Sequence, residues 1–266
     1  MVKKFGKLGV FDSIREAFKK WAANFIIVMP FVFNFLITIA IGGAAIIGAI
    51  AVFFGVYATS LTLTTLQQMT ETEMVTALAN ALTPGAMAFV GLAIFLLILI
   101  FTIIQSFFES GAIGMSMDLG NGRKTSLKTM WKTGKKFWLR SSLLKIIFGF
   151  LILIFSLIFF IPFVLTENVF WIILLFIMII PAIFFLIMFS FAQYLLIIND
   201  LDVFKSIKAS WKFVGRRYWR VWGLVLMIGL ISLVAGFIPY VSYVLAILLT
   251  APIQALSYVI YALNNS

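Results

Sequence analysis

The chain of 266 residues contains no cysteine and no histidine. Without cysteine it can form neither disulfides nor thiolate nucleophiles, and without histidine it lacks the side chain most often used as a general base near neutral pH. The same two absences remove the usual ligands of transition metals. Its carboxylates offer no pair with the setting for acid–base catalysis. We therefore predict no enzyme activity, no catalytic residue, no metal site and no cofactor.

Charge is also scarce, because Asp, Glu, Lys and Arg together make up 11% of the chain. Soluble domains carry about 25% charged residues and about 45–50% apolar ones. Here 64% of the residues are apolar and the mean hydropathy is +1.16. Six membrane crossings of about 20 residues each would leave no room for a folded soluble domain. This composition predicts a single membrane domain, residues 1–266.

The basic residues that are present fall into three blocks, at residues 3–20, 123–145 and 205–220. Long apolar stretches without Lys or Arg separate these blocks. Lys and Arg collect in the cytoplasmic loops of membrane proteins, and an even number of crossings between blocks returns each block to the same side. We therefore predict a multi-pass cell-membrane protein with both termini in the cytoplasm.

Apolar runs and turn signals place six transmembrane helices. The first lies within residues 25–57, a run longer than a bilayer requires, so this helix is expected to tilt, to kink at Pro30 or to break near Gly42 and Gly43. Residues 58–85 are expected to form the long outer loop, with shorter outer turns at 166–168 and at Pro239. The other five helices are predicted at 86–117, 141–165, 169–198, 221–237 and 242–263.

The three basic blocks resemble one another. Each contains a serine, an aliphatic residue, a basic residue, an aromatic residue and a lysine at one spacing, starting at Ser13, Ser126 and Ser206. Each is predicted to form an amphipathic interfacial helix, which a capping box from Ser13 to Glu16 starts in the first block and Asp202 starts in the third. The predicted fold is thus an all-α integral membrane protein with three parallel repeats. Each repeat has one interfacial helix and one helical hairpin, at about 10–118, 123–200 and 203–264.

A basic helix with Trp and Phe on its apolar face lies in the headgroup plane of a membrane. The net charge of +11 could also suit nucleic acid, but the positive loops of a membrane protein explain it better. We therefore predict anionic headgroups on the cytoplasmic side as partners, and no nucleic acid. The residues expected to contact lipid are Arg15, Lys19, Trp21, Lys128, Trp131, Lys132, Lys208, Trp211, Lys212, Arg216 and Arg217.

Few polar side chains are expected at membrane depth. Glu109 is the one acidic residue placed there, with Gln105 one turn before it, and Gln193 and Gln254 hold similar positions in the other two units. An ionisable residue within a membrane is a candidate functional site. These four residues could line a polar cavity or bind a cation or headgroup. Alternatively, the glutamines join helices and Glu109 pairs with a snorkelling Lys145.

The stretch 205–262 resembles a membrane-domain family found fused to some glycerophosphodiester phosphodiesterases. The same family also occurs alone in archaeal and bacterial integral membrane proteins. The resemblance implies a six-helix bundle of poorly defined function and carries no phosphodiesterase activity, because that chemistry belongs to a separate domain with histidine and a metal-binding set of carboxylates. The resembling residues are Ser206, Ile207, Lys208, Ser210 and Trp211, the run 218–221, and the pair Ala251 and Pro252.

Two functions remain open from the sequence. The first is a non-enzymatic membrane protein that interacts with lipid or acts as a membrane scaffold or assembly factor. The second is a small transporter or channel with a polar site around Glu109, which oligomerisation could complete. A homo-oligomer is compatible with both, because a lipid-facing apolar surface can equally pack against a second copy.

Overall fold

The computed structural model describes residues 8–58, 70, 84–166, 168, 170–237 and 242–265. Within these ranges the structure is helical, and no β-strand occurs in them. Two compact units are present: residues 1–34 together with 102–266, and residues 35–101. Most of the outer loop predicted at 58–85 and the turn predicted at Pro239 lie outside the described residues.

Ten α-helices are described, with a 3-10 turn at Phe25–Val28 and a π-helical segment at Ala246–Thr250. In chain order they are α1 (Val10–Ala23), α2 (Met29–Ala58), α3 (Pro84–Gly120), α4 (Leu127–Thr166), α5 (Phe170–Phe189), α6 (Ala192–Ile198), α7 (Val203–Gly215), α8 (Tyr218–Gly236), α9 (Ser242–Leu245) and α10 (Ala251–Asn265).

Six helical segments are long and apolar enough to cross a membrane, which indicates a multi-pass membrane protein. This confirms the all-helical class and the number of membrane-length helices. The segments are Phe25–Ala49, Ala88–Gly120, Leu127–Thr166, Pro181–Ile198, Tyr218–Gly236 and Ala246–Asn265.

Helix α4 is longer than the sequence predicted. Instead of an interfacial helix followed by a membrane helix at 141–165, one helix of 40 residues runs from Leu127 to Thr166. At 1.5 Å per residue it is about 60 Å long, roughly twice the hydrocarbon thickness of a bilayer. Since no proline or turn pair interrupts residues 127–141, the basic segment continues the membrane helix. The separate interfacial helix predicted for the second unit is therefore wrong.

The first and third basic blocks do form separate helices, α1 and α7. Their starts differ from the predicted caps. Gly9 is the N-cap of α1, and Ser13 lies inside the first turn, where its Oγ donates to the Gly9 carbonyl at 2.9 Å. Asp202 does occupy the N-cap of α7, but its carboxylate makes no capping hydrogen bond and lies 3.3 Å from Lys205. The capping box predicted from Ser13 to Glu16 is wrong.

The fourth predicted membrane helix is divided into α5 and α6. Ser190 lies at the division, and its Oγ donates to the Ile187 carbonyl at 2.8 Å. Such local bonds from serine compete with the helix ladder and bend helices. The break expected near Gly42 and Gly43 is wrong, because α2 runs unbroken from Met29 to Ala58. Pro30 lies in the first turn of α2, directly after the 3-10 turn, and the tilt and the kink at Pro30 stay predictions.

Two helices of the larger unit end in the same capping motif, in which a residue in the left-handed region closes the last turn. At the end of α3, Gly122 has φ 73 and the Arg123 N–H donates to the Asp118 carbonyl at 2.8 Å. At the end of α6, Asp200 has φ 50 and the following N–H reaches the Leu196 carbonyl at 2.9 Å. Each motif turns the chain sharply into the basic helix that follows it.

Glycines allow α3 and α4 to approach closely beside this turn. A Cβ added at Gly111 would lie 2.6 Å from Met130 Cγ, and one at Gly114 would lie 2.6 Å from Thr133 Cβ. On the other helix, a Cβ at Gly134 would lie 3.0 Å from the Phe107 carbonyl oxygen. Small residues at a helix–helix contact permit this approach in lipid, where packing drives association.

The buried core of the larger unit lies at the end where α3 and α6 stop and α4 and α8 begin, which we call the basic end. Three clusters of buried apolar residues occupy it, and each contains side chains that are completely or almost completely enclosed. Examples are Phe191 and Tyr261 in the first cluster, Met115 and Ile27 in the second, and Val259 in the third. Side chains at the basic end are therefore held by tertiary packing.

Away from the basic end, apolar side chains are exposed. Residues 150–154 of α4 are five consecutive apolar residues, each 50–53% exposed. Five consecutive residues point in all directions around a helix, so this turn of α4 is exposed on every side. Exposed apolar area costs about 25 cal/mol per Å² in water, a cost that acyl chains remove.

The described residues of the smaller unit belong almost entirely to the second part of α2 and the first part of α3. Gly42 faces Phe101, whose Cζ would lie 3.9 Å from an added Cβ. Ala40, Ala44 and Gly48, which form a stripe of small residues, are exposed, and an added Cβ at Gly48 would meet no atom within 4 Å. Among the residues of this unit whose side chains are described, most of the exposed ones are apolar.

Candidate functional site

Most residues predicted to contact lipid have exposed side chains. Trp21 and Arg217 differ, since both are half-buried. The exposed members of the predicted set are Arg15, Lys19, Lys128, Trp131, Lys132, Lys208, Trp211, Lys212 and Arg216.

Two exposed tryptophans share an environment. Trp131 is 47% exposed, and its ring lies 5.1 Å from that of Phe107 on the preceding helix. Trp211 is 44% exposed and lies 5.9 Å from the rings of Phe185 and Phe189. Each indole thus packs one part against phenylalanine from another helix, α3 for Trp131 and α5 for Trp211, and leaves the rest uncovered, as expected at a membrane interface.

Three further exposed aromatic residues at the basic end were not predicted from the sequence to contact lipid. Phe11, Phe204 and Trp219 are 72%, 76% and 77% exposed. Phe11 and Phe204 each lie two positions before the first serine of a repeated segment. That shared offset was the signal that could have identified Phe11 and Phe204.

Trp21 contacts protein where the sequence predicted lipid. Its indole N–H donates to the Leu248 carbonyl in the π-helical segment, at 2.8 Å. The backbone donor that an α-helix would direct to this carbonyl belongs to residue 252, which is a proline and has no N–H. Trp21 therefore satisfies a carbonyl that Pro252 leaves without its usual donor, and its N–H is not available to a headgroup.

We expect Trp21→Phe to lower the free energy of unfolding by about 1–3 kcal/mol, because a carbonyl in apolar surroundings would lose its donor. Pro252→Ala restores the missing backbone N–H, so the same Trp21 substitution should cost less in that background. Unfolding of the four proteins of this cycle in mixed detergent micelles measures the difference. Equal costs in both backgrounds would contradict this account.

Glu109 forms an ion pair inside the helix bundle. Its Oε2 lies 2.8 Å from Lys145 Nζ, and the two side chains are 29% and 22% exposed. Lys145 Nζ itself is enclosed and has no hydrogen bond of good geometry with the described residues. The pair joins α3 to α4, and a second link joins the same helices where Ser110 and Ser141 hydroxyls meet at 2.9 Å. This arrangement corresponds to the structural alternative raised from the sequence for Glu109.

The three glutamines of the predicted polar site lie in different environments. The side chains of Gln105 and Gln254 are exposed, whereas Gln193 is half-buried. Gln193 Nε2 is enclosed and has no acceptor among the described residues. Convergence of these glutamines with Glu109 on one axis therefore stays a prediction.

Asp200 links α4 to the turn before α7. Its carboxylate accepts hydrogen bonds from Lys136 at 2.6 Å and from Arg140 at 2.9 Å. The hydrogen bond from Lys136, followed by the charge of Lys136 and then by the hydrogen bond and charge of Arg140, lowers the pKa of Asp200 from its ordinary value of 3.8. Because the folded pKa is lowered, this link is complete above the ordinary value and is lost as pH falls through the lowered one.

Comparison with known proteins corrects the family expected from the sequence. No curated protein and no solved structure shows significant similarity to the chain. The resemblance to the membrane domain of glycerophosphodiester phosphodiesterases is wrong, because residues 69–264 match a different family, described as a domain of unknown function (DUF7847). This match covers most of the chain, including the basic segments of α4 and α7 and the Glu109–Lys145 pair. The chain belongs to the DUF7847 family.

Proposed function

We propose that this protein is a non-enzymatic multi-pass protein of the cell membrane that binds anionic lipid headgroups through its basic end and has a lipid-organising or scaffold role. In this proposal the basic end and both termini are cytoplasmic. Anionic lipids of the cytoplasmic leaflet attract basic segments near membrane helices.

One observation carries the proposal: the basic end presents exposed cations that no acidic side chain in the described part of the chain neutralises. Within the described residues, none of these cations has a carboxylate within 4 Å. Exposed Phe and Trp side chains lie among them, and this combination is typical of helices that bind membrane surfaces. The cations are Arg15, Lys19, Lys128, Lys132, Lys208, Lys212 and Arg216.

Similar burial in two of the basic segments supports a repeated unit. Residues 127–136 and 207–216 share their degree of burial at nine of ten aligned positions. Met130 in the first segment and Ser210 in the second are buried, and the tryptophan that follows each of them is exposed. The proposed repeat accounts for the exposed cations on both α4 and α7, which could hold several headgroups at once.

Substitution of Lys208 and Lys212 by Gln tests lipid binding. Each cation near an anionic surface contributes about 1 kcal/mol, so we expect roughly tenfold or greater loss of phosphatidylglycerol retained from mixed micelles with phosphatidylcholine. The difference should shrink as salt is raised, because salt screens exposed charges. Native mass spectrometry of the purified protein measures the retained lipid.

The matched control is Lys136→Gln with Lys205→Gln. It removes the same formal charge, but both lysines pair with aspartates, at 2.6 and 3.3 Å. We expect this control to retain more phosphatidylglycerol than the Lys208 and Lys212 variant. Unchanged retention in both variants at low salt would refute the proposal.

A transporter or channel is the second candidate function, and the enclosed Gln193 Nε2 without an acceptor is the observation that favours it. Such a group could bind a ligand between helices. The Lys145 partner of Glu109 favours a structural role for the carboxylate instead. Lipid binding therefore has the stronger support.

A further inference from the structure

A cavity of about 290 Å³ opens at the basic end, beside α1. Five charged side chains of α1 line one wall, and Gly120 at the end of α3 and Asn264 near the end of α10 lie on the other. The charged residues are Asp12, Arg15, Glu16, Lys19 and Lys20.

Two of these charged residues, Lys20 and Glu16, already have partners within the protein. Lys20 Nζ donates to the Leu119 carbonyl at 2.7 Å and lies 3.6 Å from Glu16. A lysine at this position satisfies a terminal carbonyl of α3 and offsets the negative end of its helix dipole. Lys20 and Glu16 therefore neutralise each other and complete the wall of the cavity.

The remaining charges are those of Arg15, Lys19 and Asp12, which sum to +1. Within the described part of the chain, none of the three takes part in an ion pair within 4 Å. Arg15 and Lys19 are four residues apart, so they are neighbours on one face of the helix. One monoanion would balance the cavity.

The backbone that carries these cations is held firmly. Ser13, Ile14 and Ala17 on the opposite face of α1 are buried. Trp21 ties the end of the helix to the π-helical segment through Leu248. Arg15 and Lys19 are thus presented on a fixed scaffold, which lowers the cost of ordering a ligand there.

We propose that this cavity binds one phosphate ester, held by the Arg15 guanidinium and the Lys19 ammonium. Arg can donate two parallel hydrogen bonds to a phosphate, and Lys supplies a point charge. Asp12 disfavours a bare phosphate dianion and accepts a hydrogen bond from a hydroxyl or ammonium group on the same headgroup. The ester comes either from an anionic phospholipid, which rests on the proposed function, or from a soluble phosphoester.

The two sources are separated by titrating the full chain in neutral detergent with short-chain phosphatidylglycerol and, separately, with glycerophosphoglycerol, the soluble phosphodiester that remains when the acyl chains of that lipid are removed. Both ligands carry a single negative charge on the phosphate. Isothermal titration calorimetry measures binding in both arms. We expect one saturable site, weakened at least tenfold by Arg15→Gln with Lys19→Gln. Both side chains are exposed, so the fold should survive these substitutions. Binding of phosphatidylglycerol alone identifies a lipid site, and binding of both ligands identifies a general phosphoester site.

Lys128→Gln with Lys132→Gln is the control, since it removes two exposed cations of α4 outside the cavity. It should leave the saturable site unchanged. Asp12→Asn provides a second variant, which is expected to strengthen the binding of inorganic phosphate relative to the binding of glycerophosphoglycerol.

No saturable site in either arm, or equal weakening by the cavity and control variants, would overturn the proposal. Its failure is distinguishable from that of the proposed function. Salt-dependent lipid retention through Lys208 and Lys212 can persist without a saturable site, and a soluble phosphoester can bind here without any lipid retention at α7.

Discussion

Gly114→Ala should lower the free energy of unfolding by about 1–3 kcal/mol, the usual cost of overpacking a close contact. An added Cβ would lie 2.6 Å from Thr133 Cβ and 2.7 Å from its Cγ2, with Oγ1 also in contact. These distances are too short for carbon atoms, so α3 and α4 must separate. Because the Glu109–Lys145 and Ser110–Ser141 links join the same helices, separation should also weaken them.

Chemical unfolding in mixed micelles measures the effect, and Gly149→Ala in α4 is the matched control. An added Cβ at Gly149 meets no atom within 4 Å, so we expect no loss of stability and a gain of up to about 1 kcal/mol from helix propensity. Thr133→Ala removes two of the three nearby atoms and should recover part of the Gly114→Ala loss. Equal stability of the two alanine variants would show that the helices do not approach closely at Gly114.

The number of membrane-length helices could be predicted from the sequence because two strong patterns agree. Apolar runs long enough to span a bilayer alternate with basic blocks, and both reflect the high cost of placing charge in hydrocarbon. The ends of the helices were harder to predict from the sequence. Ser13 and Glu16 match a capping box, yet Gly9 starts α1 and Ser13 bonds back to it. A capping pattern does not determine the start of a helix whose buried face is chosen by tertiary packing.

The course of α4 shows a second limit. Its basic segment has the same residue pattern as α7, but α7 ends at Gly215 whereas α4 continues into the membrane helix. The repeated pattern specifies which side chains are buried, and it does not specify whether the next turn breaks. In α4, Gly134 lies at the close contact with Phe107 and remains within the helix, which continues without interruption.

Partners across the bundle were hardest to predict. Pro252 indicated that a carbonyl would need a donor from elsewhere, yet the donor, Trp21, lies 227 positions from the Leu248 carbonyl. Tryptophan in a basic segment favoured a lipid contact, and only the fold shows that its N–H is used internally. By contrast, the pairing of Glu109 with Lys145 could be predicted from the sequence, because a carboxylate near a membrane boundary favours a long basic side chain that can reach it.

Glu109→Leu should cost about 3 kcal/mol of unfolding free energy. Removing one partner of a buried ion pair leaves the other charge uncompensated, which typically costs about 3–5 kcal/mol. We expect the lower end of that range, because both side chains are about a quarter exposed, at 29% and 22%. Glu109→Gln should cost less, since the amide oxygen can still accept a hydrogen bond from Lys145.

The double variant Glu109→Leu with Lys145→Leu separates structure from transport. Replacing both partners of a buried pair by apolar residues is often neutral or stabilising, so the double variant should recover most of the stability lost by Glu109→Leu alone. Unfolding in micelles tests this, and flux of monovalent cations into proteoliposomes is measured on the same proteins. If the pair is structural, neither Glu109→Leu nor the double variant changes the cation flux. If wild-type protein conducts cations and Glu109→Gln abolishes flux while stability is nearly unchanged, the carboxylate belongs to a transport site and the lipid-binding proposal no longer accounts for this part of the bundle.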